Sequence, residues 1–103
     1  MDPPHVFSLS HSSLEYMPDL SQTNHDSIVL ENNDIHILFS EYLSPRVKTL
    51  RVGSNRISSD GLPNDWPPQL EEVSLDYNYI QDTDGIVWPE SLKKLNLNTI
   101  RYQ

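Results

Sequence analysis

Leu70-Glu71-Glu72-Val73-Ser74-Leu75-Asp76-Tyr77-Asn78-Tyr79-Ile80 is the stretch that decides how this chain folds. Apolar residues stand at 70, 73, 75 and 80, and an asparagine stands at 78. The alternation Val73-Ser74-Leu75 has the period of two that belongs to a short strand with one buried face. Asn78 follows where the chain must turn out of that strand. A carboxamide there is suited to the backbone groups that a strand ladder leaves unpaired.

Working outward, the same phrase returns on both sides. Val47-Lys48-Thr49-Leu50-Arg51-Val52-Gly53-Ser54-Asn55-Arg56-Ile57 matches it position for position. Leu92-Lys93-Lys94-Leu95-Asn96-Leu97-Asn98-Thr99-Ile100 keeps the first three apolar places, then puts Ile100 where asparagine is expected. Upstream, Ile28, Leu30, Asn33 and Ile35 make a further copy with His25 in its first slot. Phe7, Leu9, Ser12 and Leu14 make a degenerate one that begins at Pro4. The third apolar place falls at Leu9, Leu30, Val52, Leu75 and Leu97, in steps of 21, 22, 23 and 22 residues. A fixed period of this size is the signature of stacked repeats, each too small to bury its own apolar face.

The phrase L-x-x-L-x-L-x-x-N-x-L resembles that of the leucine-rich-repeat family. The resemblance implies an arc-shaped solenoid of α/β type, mostly β, of about five repeats with one short parallel strand each. It also implies an asparagine ladder through Asn33, Asn55 and Asn78, with Ser12 a shorter substitute and Ile100 no substitute. The chain reads as a single domain over 1–103, with repeats at roughly 4–24, 25–46, 47–69, 70–91 and 92–103. The first is degenerate and the last incomplete.

Between the copies lies a second pattern. Leu62-Pro63-Asn64-Asp65-Trp66-Pro67-Pro68 and Ile86-Val87-Trp88-Pro89 are rich in proline, with Tyr42-Leu43-Ser44-Pro45 a relative. Proline removes a backbone donor and opposes helix. The convex side is therefore expected to be extended or 3-10 rather than helical. Asp60-Gly61 and Asp84-Gly85 are turn signals on that side, and Trp66 and Trp88 are expected to close the core there. This phrasing looks like the proline-containing repeats of bacterial secreted effectors, or those of amoebae and their giant viruses. The sequence does not choose between them.

In this family the exposed strand residues form a concave binding face. Carried onto this sequence, that face holds Thr49, Arg51, Glu72, Ser74, Asp76, Tyr77, Lys94 and Asn96. Arginine and tyrosine are enriched among interface hot spots. The sequence after Leu97 and Ile100 offers no amphipathic capping segment, so these two are expected at an open edge. A protein partner or a second copy of the chain fits that edge, further repeats of a longer protein would continue it, or Lys93, Lys94 and Arg101 blunt it.

Composition narrows the function classes. Fifteen acids face seven bases, a net charge of −8, which opposes nucleic-acid and anionic-membrane binding. The absence of cysteine excludes thiolate catalysis and cysteine-ligated zinc. His5, His11, His25 and His36 occupy different repeat positions and no H-E-x-x-H frame. Asp82-Thr83-Asp84-Gly85 lacks the flanking ligands of a calcium loop, with Ile80 and Ser91 in those places. No nucleophile elbow or phosphate loop occurs. The expectation is a non-catalytic protein-interaction module without metal or cofactor. The alternative is a structural component of a larger particle. No signal-peptide pattern or roughly 20-residue apolar run is present, so the expected location is the cytoplasm, its own cell's or a host's.

Overall fold

The computed structural model of the protein describes residues 6–98. Five strands form one parallel sheet in chain order: β1 (Val6–Ser8), β2 (Ser27–Val29), β3 (Thr49–Arg51), β4 (Glu72–Ser74) and β5 (Lys94–Asn96). Each strand advances the solenoid by one coil. Among the described residues there is no α-helix; two 3-10 turns, Ser40–Tyr42 and Ser59–Gly61, serve the connections. The fold is thus a mostly β, parallel-strand solenoid of the leucine-rich-repeat type.

The register follows the repeat template. Phe7, Ile28, Leu50, Val73 and Leu95 lie side by side, as do Val6, Ser27, Thr49, Glu72 and Lys94. Alternation turns the first set inward and the second outward. Slipping by one residue would expose every core side chain, so burial fixes the register. The ladder runs on past the strand ends. Val52 N–H donates to Ser74 C=O at 2.9 Å, and Ser54 N–H to Asp76 C=O at 2.7 Å.

The core is a stack of columns. Ile28, Leu50 and Val73 are fully buried, as are Leu30 and Val52, Ile35 and Ile57, and Val47 and Leu70. Each such side chain contributes about 1.5–3 kcal/mol when taken from water. Toward the ends the columns open: Leu9 is 37% exposed, and Phe7, Leu95 and Leu97 only pack partly against the cluster.

On the convex side Leu20 and Leu43 face each other in a parallel bridge, both buried. Further along, the indoles of Trp66 and Trp88 stack, with centroids 5.3 Å apart and planes 26° from parallel. Both are half-buried against the core. Gly85 takes a φ of +84° in the turn closed by Ile86 N–H to Thr83 C=O, a conformation glycine adopts without steric cost.

Candidate functional site

Three carboxamides tie the coils together. Asn33 Nδ2 donates to Leu9 and Leu30 C=O at 3.0 and 3.1 Å. Asn55 Nδ2 reaches Leu30 and Val52 C=O at 2.9 and 3.0 Å. Asn78 Nδ2 reaches Val52 and Leu75 C=O at 3.0 and 3.1 Å. Each Oδ1 accepts from the preceding coil: Leu14 N–H for Asn33, Ile35 N–H for Asn55, Ile57 N–H for Asn78. All three asparagines are buried, where an unpaired polar group would be costly. Their work is to hold the outward-facing strands in line.

Each asparagine enters the core because the residue before it is left-handed. His11, Asn32, Ser54 and Tyr77, at φ of 57°, 61°, 56° and 62°, share one repeat position. Asparagine and histidine visit this region more readily than bulky residues do. Tyr77 is the costly member, and the residue is 41% exposed at the rim of the concave face.

The concave face is polar and ordered by contacts across coils. Arg51 Nη2 lies 3.2 Å from Glu72 Oε2 in the neighbouring strand. The pair is solvated, so it contributes at most about 1 kcal/mol, but it presents both signs at the centre of the face. Asp76 Oδ1 accepts the Asn98 N–H at 2.8 Å, and its Oδ2 lies 3.4 Å from Ser74 Oγ. Gly53 is buried between Asp76 and Glu31: a Cβ there would stand 3.3 Å from Asp76 C=O and 3.6 Å from Glu31 Oε2.

The sheet therefore brings Thr49, Arg51, Glu72, Ser74, Lys94 and Asn96 onto three adjacent strands in paired register. Asp76 and Tyr77 follow at the end of β4. Ser74 is buried and offers little to a partner, whereas Arg51, Tyr77 and Lys94 are exposed. Leu97 is half-buried and lines a recess of about 180 Å³ with Leu75, Asn78, Ile80, Gln81 and Thr83. Ile100 lies outside the described residues, as do His5 and Thr99.

Of the remaining histidines, His25 fills its apolar slot with its ring edge-on to Phe7, centroids 5.5 Å apart. Among the described residues no three histidines or carboxylates converge as a metal set requires. No helix there is long and apolar enough to cross a membrane.

Sequence reasoning overlooked one surface. Tyr16, Ile37, Phe39 and Tyr79 are exposed on the turns that leave the sheet, and Arg56 Nε pairs with Asp34 Oδ1 at 3.4 Å beside them. All fall at places the repeat template leaves variable. The available signal was an aromatic or aliphatic residue at such a place.

Comparison with known proteins gives a distant likeness. The chain is 28% identical to keratocan of Gallus gallus, a leucine-rich-repeat protein, over 102 aligned residues. The keratocan of Coturnix japonica matches with the same identity. Both alignments cover 76% of this chain, which spans 29% of the relatives' length. No family model and no solved structure matches the chain. Together with the solenoid, the likeness is to leucine-rich-repeat proteins at large.

Proposed function

We propose that this chain is a non-catalytic module that holds another protein on its concave sheet face. The observation that carries this reading is Tyr77. An exposed aromatic occupies a left-handed position where Asn32 and Ser54 sit at lower conformational cost. Strain of this kind is a pointer to function rather than to stability. Arg51, Glu72 and Lys94 lie on adjacent strands fixed in register, so a partner meets a preorganised surface. The distant likeness to a leucine-rich-repeat protein supports the same class. The finer likeness to effector or amoebal repeats rests on the proline segments at 62–68 and 86–89 alone.

The test is capture of a partner from the native source, run with wild type and the double variant Arg51→Ala, Tyr77→Ala. Loss of capture with unchanged circular dichroism supports the concave face. Equal capture by a folded double variant overturns it.

A second reading is a structural, self-assembling component. It is motivated by β5, which among the described residues pairs only with β4, and by half-buried Leu97 beside it. Light scattering during size exclusion tests it: oligomers abolished by Leu97→Lys support it, and a monomer at every concentration opposes it.

A further inference from the structure

We infer that the turn flank of the solenoid is a second docking surface, one that takes an arginine-bearing extended segment of another protein. Its best seat is the groove between the turns of the third and fourth coils. The flank is the set of turns that carry the chain from the sheet to the convex side, at 13–19, 34–41, 56–62 and 79–86.

Two independent features single it out. The first is apolar exposure. Eight large hydrophobic side chains are exposed among the described residues, and four of them, Tyr16, Ile37, Phe39 and Tyr79, lie in these turns. Val6 and Leu9 sit at the end of the sheet, where the columns open anyway. Exposed aromatic residues are enriched in binding surfaces.

The second is charge. These turns hold two acids in 13–19, two in 34–41, one in 56–62 and two in 79–86, against the single base Arg56. Arg56 is already paired with Asp34. The strand segments at 4–11, 25–32, 47–54, 70–77 and 92–99 carry five acids against four bases. The chain's negative charge is therefore concentrated on the flank, while the sheet is close to neutral. A flank of this sign steers and selects a cationic partner.

The groove joins both features. It is about 300 Å³, lined by Ser58, Ser59, Asp60, Tyr79 and Gln81. Ser59 Oγ accepts the N–H groups of Gln81 and Asp82 at 3.1 and 3.0 Å, which fixes its floor. A planar guanidinium suits it: one face stacks on the Tyr79 ring while the edge meets the Asp60 carboxylate. Arginine fits this pairing better than lysine because its fork is flat and multiply donating.

The experiment is an amide NMR titration of the full chain with a blocked six-residue peptide of alternating arginine and glycine. The same peptide with citrulline in place of arginine is the uncharged control. The expected result is saturable shifts at Tyr79, Gln81 and Asp60 with the arginine peptide and none with the citrulline peptide. Tyr79→Ser and Asp60→Asn each weaken binding, the former by about two- to fivefold, while Tyr79→Phe keeps it. Arg51→Ala on the sheet leaves peptide binding unchanged, which separates this surface from the concave one. Equal affinity of a folded Tyr79→Ser chain, or shifts spread evenly over all carboxylate-bearing residues, overturns the inference.

Discussion

The amide of Ile35 donates to Oδ1 of Asn55, twenty residues further on, at 3.0 Å. Both are buried, and the bond links one coil to the next. The same carboxamide donates to Leu30 C=O, which Asn33 Nδ2 also reaches, so Asn55→Ala strands one donor, the Ile35 N–H, in the core. A buried orphan costs about 1–3 kcal/mol, so the substitution should destabilise by about that much. Urea unfolding followed by circular dichroism measures it. A loss under about 1 kcal/mol would mean that water replaces the carboxamide.

Tyr77 is the bulky member of the left-handed column. Left-handed backbone costs a non-glycine residue roughly 1–2 kcal/mol, less for asparagine. Tyr77→Asn should therefore raise stability by about 0.5–1 kcal/mol, through relief of that strain. Thermal unfolding of the two chains decides it; a lower midpoint in the variant would show that the tyrosine ring contributes packing that outweighs its backbone.

Gly61 packs against the backbone of His36 so closely that an added Cβ would overlap its carbonyl oxygen. The obstacle is main chain, not a flexible side chain, and Leu38 N–H is anchored to Gly61 C=O at 2.8 Å. Gly61→Ala is expected to cost about 1–3 kcal/mol, the usual range for forced overpacking. Gly85, in an open turn with no atom near its missing Cβ but with a φ of +84°, is the comparison site: Gly85→Asn meets only the left-handed backbone cost, under about 1 kcal/mol for asparagine.

Asp19 accepts hydrogen bonds from the hydroxyl and the amide of Ser21, at 2.7 and 3.0 Å. The hydroxyl bond chiefly, then the amide, holds its carboxyl below the ordinary value of 3.8. A lowered folded-state value stabilises the turn at pH above the unfolded carboxylate range. That contribution is lost as pH falls through the folded value. Carboxyl NMR titration should find a low midpoint that rises in Ser21→Ala. An unchanged midpoint would remove the hydroxyl from the account.

Much of this was legible in the chain itself. The positions 73 and 75 alternate, and the phrase returns every 21 to 23 residues, so stacking and one-to-one register follow from burial alone. The prolines at 63, 67, 68 and 89 likewise announce a convex side without helix. What stayed hidden has a common cause. Arg51 meets Glu72, and Arg56 meets Asp34, across neighbouring coils. A repeat template marks such places only as variable.

The sequence by itself determined the coil: its period, its inward columns and the asparagine that closes each turn, because these depend on spacing and on the cost of burying polar groups. Only the tertiary structure decided which outward residues are presented. Ser74 sinks into the sheet while Tyr77, one turn on, is lifted out by a left-handed backbone. Tyr79 and Asp60 come to line one groove although 19 residues separate them. Exposure is a property of the neighbours on adjacent coils, and stacking is what selects those neighbours.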